Sequence, residues 1–307
     1  MKSRSYQRGF RMALPFLLPS LTGMLLFSVI PIIVAVFLGF TEWNGLSKIS
    51  LTTGFFQTVS EFWVGLKNYG QILWDKEFWH VLGNTGYYIL LYVPSILIAS
   101  TVVAMILNSG RKMIGLYRVL YYIPVLTSWV AGALIWKWVL SPDLGAMNNI
   151  LALIGIQGPA WLQDKTWAMP GIVLASIWKD AGFFGLILLG GLQAIDPTYS
   201  EAASIDGAGR FQKLSRITIP LLTPVLFFIL VITLINSFQL FPQVMIMTTD
   251  AGPNGATQSM VERIYKYAFK YFKMGYASSF AWLLFVIIFF FTSIQMKMQN
   301  KWVNYDA

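Results

Sequence analysis

The chain contains stretches that are long and almost wholly apolar, at about 13–40, 84–107, 116–140, 170–192, 221–241 and 277–296. Each has the roughly 20 residues that a helix needs to cross a hydrocarbon core about 30 Å thick. A helix on the surface of a soluble domain carries one apolar stripe, whereas these stretches are apolar on every face, as lipid-surrounded helices are. The pattern predicts an all-α membrane protein with about six transmembrane helices. The first stretch follows Lys2, Arg4, Arg8 and Arg11, as the apolar part of a secretory signal would. It is too long for that part and contains Pro15, Pro19 and Pro31, so a retained first span is expected.

Composition agrees with this reading and narrows the chemistry. Of 307 residues, 56% are hydrophobic and 11% charged, with a mean hydropathy of +0.62, far from the balance of a soluble domain. No cysteine is present, which removes disulfides, zinc thiolates and thiol catalysis. The net charge of +9 is read through membrane topology first, so nucleic acid is not an expected partner. Lys and Arg concentrate at 1–12, at Arg111, Lys112 and Arg118, at Arg210, Lys213 and Arg216, and in the tail 297–307. Placing those segments inside predicts a multi-pass protein of the cell membrane with both termini cytoplasmic. Thr53, Gln157 and Asn254 then lie outside. Arg263, Lys266, Lys270 and Lys273 recur every three or four residues, as one solvated face of an outer helix would, with a docking surface as the alternative. The first outer segment, 41–83, carries Trp43, Trp63, Trp74 and Trp79, the residue type that collects at membrane interfaces.

The polar segment 196–220 differs from an ordinary connection. Asp196 is placed to cap a helix that begins at Pro197, since proline has no N–H to lose there. The short helix is expected over 198–206, with Gly207 and Gly209 permitting a sharp turn. A second short helix follows, with Phe211, Leu214 and Ile217 on one side and Arg210, Lys213 and Arg216 on another. Ala202 and Ala203 are small enough for close approach by a partner.

Glu201-Ala202-Ala203, Gly207, Ile217 and Pro220 fall in register on the EAA pattern: Glu-Ala-Ala, three residues, Gly, nine residues, Ile-x-Leu-Pro. Ile219 stands where that pattern has Leu. The segment therefore resembles the EAA loop of permease subunits in ATP-driven, binding-protein-dependent importers. Further residues resemble the sugar-importer branch of that family, the type related to the larger maltose-permease subunit. They are Leu14-Pro15 and Leu18-Pro19, Gly65-Leu66-Lys67-Asn68-Tyr69, Asn84-Thr85, Tyr122-Ile123-Pro124, Ile135-Trp136-Lys137-Trp138, Ile205-Asp206-Gly207-Ala208, and Thr249-Asp250-Ala251-Gly252-Pro253 with Thr257.

The resemblance implies a type I ABC importer permease (MetI-like) fold, spanning 13–296 between a basic cytoplasmic N-terminus at 1–12 and a cytoplasmic tail at 297–307. It implies a second homologous permease, an ABC ATPase dimer, an extracytoplasmic solute-binding protein, and a sugar or oligosaccharide as substrate. It also makes Glu201, Ala202, Ala203, Asp206, Gly207, Ile217 and Pro220 the coupling residues of a cytoplasmic elbow at 196–220. No cofactor is expected on this chain, because ATP would be bound by the partner subunit.

Other chemistry has no foothold in the sequence. No G-x-x-x-x-G-K-[ST] loop occurs, nor H-E-x-x-H, and the single histidine, His80, falls in the expected outer loop without neighbouring ligands. Neither catalytic nor metal-binding residues are expected. A transport path must then be built from polar groups within spans, which are costly in lipid unless paired or wet. Thr233, Asn236, Gln239 and Gln243 read as one polar stripe along the fifth span. Lys179 and Asp180 lie well inside the fourth, beside Trp178 and Phe183. Path lining and interhelical hydrogen bonding are weighed equally for Asn236 and Gln239, while a structural ion pair is the first reading of Lys179 and Asp180. A stand-alone secondary transporter or channel for a polar solute is the alternative function. Such proteins often carry inverted halves with broken helices, and neither is visible in the sequence.

Overall fold

The computed structural model describes residues 15–47, 60–109 and 114–303. Lys2, Arg4, Arg8 and Arg11, the outer marker Thr53, Arg111 and Lys112, and the end of the tail lie outside these residues. Every long element is a helix: α1 (Pro15–Leu38), α2 (Lys67–Trp74), α3 (Lys76–Leu107), α4 (Ile114–Leu126), α5 (Trp129–Val139), α6 (Ala146–Leu153), α7 (Ala168–Ala194), α8 (Pro197–Ile205), α9 (Arg210–Leu221), α10 (Thr223–Phe238), α11 (Pro242–Met247), α12 (Met260–Tyr265) and α13 (Met274–Trp302). Four are uninterrupted helices long and apolar enough to cross a membrane, and two bent pairs bring the crossings to as many as six.

The boundaries shift where local chemistry outweighs hydropathy. The second span starts at Lys76 rather than near Asn84, so His80 sits in a helix and not in a loop. The third expected span is broken, its halves α4 and α5 meeting at 101°. Helix α4 runs through Pro124 and ends at Leu126, where Thr127 folds its hydroxyl onto the Pro124 carbonyl at 2.6 Å. Ser128 starts afresh as an N-cap, accepting from the Ala131 N–H at 3.2 Å. The fifth span, α10, ends at Phe238, with α11 beginning separately at Pro242.

The described residues divide into two compact units. One draws on Met1–Asp75 and Ile264–Leu283. Its hub is Asn68, whose buried amide donates to the carbonyls of Gly39 (3.2 Å) and Thr41 (2.8 Å) just beyond α1. Those carbonyls are orphaned by the end of the helix, so the side chain supplies donors the backbone no longer provides. Ser279 donates to the same Gly39 oxygen at 3.1 Å, and Phe40 stacks on Trp63 at 5.3 Å. Arg263 and Lys266 do not form a solvated face with Lys270 and Lys273, because both are buried and the latter two exposed.

The other unit comprises Lys76–Arg263 and Leu284–Ala307. Arg263 is ion-paired with Glu77 there. Helix α7 is the axis of this unit: 61% of its most apolar window is buried, and it packs along α3 and α4. No part of the corresponding window of α1 is buried. Gly182 of α7 is the point of closest approach, since a Cβ there would run into the Tyr121 carbonyl of α4. On the same helix, a Cβ on Gly190 would meet nothing.

That contrast gives a paired test. Gly182→Ala should lower the thermal midpoint of the purified protein by the equivalent of about 1–3 kcal/mol, the usual cost of overpacking. Gly190→Ala should leave it unchanged or raise it slightly, because alanine favours helix over glycine. Equal midpoints for the two variants would mean α4 does not lie against α7 in this way.

Candidate functional site

The elbow forms as its residues direct. Asp196 Oδ1 accepts from the Thr198 N–H at 2.8 Å, and Pro197 opens α8. Hydrogen bonds from Thr198 hold the Asp196 carboxyl below the ordinary carboxylate range. A depressed folded-state pKa stabilises above the unfolded value of about 3.9 and is lost only as pH falls through the lower folded value. The cap is therefore intact at every pH near neutrality. Gly207 turns the chain with φ +77°, while Gly209 has φ −70° and serves instead as N-cap of α9. The Gly209 N–H donates to Gln212 Oε1 at 2.9 Å, and Lys213 Nζ donates to Ser204 Oγ at 2.5 Å, tying the two short helices together.

No residue of α8 is buried. Glu201, Ala202, Asp206 and Gly207 are exposed, and Ala203, Ile217 and Pro220 are half-buried. Two large apolar side chains flank the turn almost bare, Ile205 at 86% and Phe211 at 79% exposure. The turn thus presents apolar surface that none of the described residues covers. Sequence periodicity assigned Phe211 to a side of α9, but not this exposure.

The expected polar stripe on α10 is split. Thr233 is fully buried, its hydroxyl donating to Ile229 O at 2.7 Å within its own helix. Gln243 lies beyond α10, on α11, where it is buried. Asn236 and Gln239 are exposed, and neither side chain has a hydrogen-bond partner among the described residues. The reason is angular: residues three apart on a helix diverge by about 60°, so a run of threes drifts off one face. Asn236 and Gln239 therefore remain together as candidates, and Thr233 separates from them.

Lys179 and Asp180 do not pair with each other. Adjacent helical residues point about 100° apart, and these two reach different partners. Lys179 Nζ donates to the carbonyls of Pro124 (3.0 Å), Val125 (3.2 Å) and Thr127 (2.6 Å), where α4 breaks. Three ammonium hydrogens meet three oxygens at the end of a helix, of which that of Pro124 also accepts from the Thr127 hydroxyl. The same Nζ lies 5.5 Å from the Trp129 ring centroid, at the start of α5. Asp180 Oδ2 accepts from the Tyr92 hydroxyl at 2.6 Å, and Tyr92 stacks on Tyr88 at 5.2 Å. Trp178 is half-buried and packs edge-on against Trp136 at 6.0 Å. The ion-pair expectation is thus corrected: Lys179 closes a helix break and Asp180 anchors a tyrosine. Tyr92 carried no signal in the sequence, since its role depends on α3 lying beside α7. No cluster of three or more metal-ligating side chains occurs among the described residues.

Residues 76–305 match the family of binding-protein-dependent transport system inner membrane components. The chain belongs to that family. This permease is 36% identical over 310 residues to the probable ABC transporter permease protein YesP of Bacillus subtilis, covering 100% of this chain and 96% of that protein. It is 33% identical to the trehalose/maltose transport system permease protein MalF of Thermococcus litoralis, covering 97% and 95% respectively. It also superposes with a TM-score of 0.81 and 21% identity on a chain of a bacterial alginate ABC transporter solved with an alginate pentasaccharide-bound periplasmic protein, covering 98% of each chain. The likeness places the permease in the type I ABC importer, MetI-like fold, as a multi-pass membrane protein.

The Lys179 contacts can be separated from a generic buried charge. Lys179→Met keeps the length of the side chain but removes the ammonium donor from the Val125 and Thr127 carbonyls, at about 1–3 kcal/mol for each buried group left without a donor, while the Pro124 carbonyl keeps the Thr127 hydroxyl. It should lower the thermal midpoint of the purified permease clearly. Asp180→Asn retains an acceptor for the Tyr92 hydroxyl and should cost within about 1 kcal/mol. A Lys179→Met variant as stable as Asp180→Asn would contradict the capping role.

Proposed function

We propose that this permease forms half of the translocation pathway of an ATP-driven sugar importer and takes the force of ATP hydrolysis through its elbow. The observation that carries the coupling role is the turn at Gly207. It lies on the EAA register between two spans, is exposed, and is flanked by the bare side chains of Ile205 and Phe211. A groove on an ATPase subunit would cover this surface, with Glu201 held by a charge-assisted bond to a basic residue there. ATP would then be bound and hydrolysed on a separate ABC ATPase dimer.

The sugar class rests on relatives. The curated protein from Thermococcus litoralis carries trehalose and maltose in its name, and the solved relative was captured with an oligosaccharide-loaded periplasmic protein. By the same likeness, the partners are an extracytoplasmic solute-binding protein and a second permease. Support for the second permease comes from the exposed Asn236 and Gln239. A helix that touches lipid alone needs no partner, but a half-lined polar face in a span does. Asn236 and Gln239 would line the sugar path, with Trp178 nearby as packing. The positive-inside count orients the elbow, both termini and the segments 1–12 and 297–307 toward the cytoplasm.

A stand-alone carrier for a polar solute would also use a broken helix such as the α4/α5 pair. It would have no use for the elbow.

Gly207→Val tests the reading directly. None of the described residues comes within 4 Å of a Cβ at this position, so the effect is expected from the φ of +77° and from the partner. Uptake by the assembled importer should be abolished and ATPase retention reduced, while membrane insertion of the chain is unchanged. Full uptake with normal ATPase association would refute the coupling role.

A further inference from the structure

The tryptophans of the first outer segment have no part in the path or the elbow, yet two of them meet in one place. Trp43 and Trp74 line a cavity of about 780 Å³ that lies wholly within the unit built from Met1–Asp75 and Ile264–Leu283. Facing them are Tyr271 and Phe272, and Gln71 and Asp75 complete the polar part of the wall. The volume falls in the range of small-molecule sites, roughly 300–1,000 Å³.

We propose that this cavity is a saccharide-binding site, apart from the candidate path residues on α10. The wall combines aromatic rings with carboxamide and carboxylate groups. A sugar ring can satisfy both kinds of group, with C–H faces above and below and hydroxyls around its edge. Each hydroxyl both donates and accepts, so it satisfies a carboxylate, which only accepts, and a carboxamide, which does both. Trp74 is 91% exposed at the rim, and among the described residues neither its indole N–H nor the Gln71 carboxamide has a hydrogen-bond partner. Phe272 supplies an independent mark. Its φ of +53° is a rare state for a bulky side chain, and strained backbone of this kind concentrates at ligand sites.

Charge decides against a lipid headgroup, for which interfacial aromatics would otherwise be suited. The wall carries the carboxylates of Glu42 and Asp75 and the ammonium of Lys273, and Lys67 pairs with Glu42 at 2.6 Å, so the formal charges cancel. An anionic phosphate gains no net attraction there, whereas an uncharged sugar needs none. The choice of saccharide over other neutral polyols rests on the sugar-importer reading given above. On that reading the site lies on the extracytoplasmic side, where it would hold substrate outside the membrane path.

The test is equilibrium dialysis of the full-length permease in lipid nanodiscs against radiolabelled maltose, trehalose and lactose. At least one should be retained. Trp74→Ala should weaken retention roughly three- to tenfold, the range expected for one aromatic contact. Trp74 is too exposed for its loss to unfold the chain, and Gln71→Ala, a smaller change, should weaken retention as well. Gly190→Ala, in the other unit and with nothing near the added Cβ among the described residues, should leave this retention unchanged. Retention that survives undiminished in Trp74→Ala would overturn the proposal, as would displacement of the sugar by phosphocholine. Uptake by the assembled importer is scored separately. Uptake with no retention at this cavity overturns the site and spares the importer reading, whereas retention without any sugar uptake spares the site and overturns that reading.

Discussion

A peptide group inside hydrocarbon must find its hydrogen-bond partner within the protein, and this constraint governs the permease more than any single contact. Where a helix continues, the requirement is met locally. Where it breaks, some other element has to supply donors, and the element that does so becomes fixed to the break. Lys179 meets this need for the three carbonyls at the end of α4. Asn68 does the same for the two carbonyls beyond α1. Each such side chain locks one helix end to a second helix, so the breaks are also points of cross-linking. The close approach at Gly182 belongs to the same arrangement, since only a residue without a Cβ lets α7 come near enough to α4 for Lys179 to reach.

The elbow obeys the opposite condition. It lies outside the long spans, so its polar groups need no internal partner, and its stability comes from local devices: the Asp196 cap, the Gly207 turn and the link from Lys213 to Ser204. A segment held together by itself, and bare on its outside, moves as a unit when pushed. This is the mechanical requirement for a two-state element biased from both ends, by nucleotide below and by the cavity above. On the proposed coupling role, the exposed Ile205 and Phe211 would provide the apolar grip that such a contact needs.

Much of this was legible in the sequence, and the rest was not for definite reasons. Spans and elbow follow from local patterning: apolar runs of sufficient length, a helix cap before Pro197, a glycine where φ is positive. The break between α4 and α5 was written in Thr127 and Ser128, but continuous hydropathy across 116–140 concealed it. The partners of Lys179 and Asp180 were out of reach, because they depend on which helices lie side by side. Spacing of three residues also misled twice. It suggested a single stripe through Thr233 and Asn236, and a solvated face through Arg263 and Lys266, where tertiary burial and an ion pair to Glu77 decide the outcome instead.

The central claim is that the elbow is a contact surface for an ATP-hydrolysing subunit, and the most direct measurement is site-specific cross-linking from its tip. The chain has no native cysteine, so Ile205→Cys gives a single reactive position on a residue that is 86% exposed. In membranes containing the assembled importer, a short bifunctional reagent at this cysteine should join the permease to the ATPase, with a yield that changes when ATP is added. If position 205 cross-links to no ATPase while the purified importer still contains one, the elbow is not the coupling surface and the account fails at its centre.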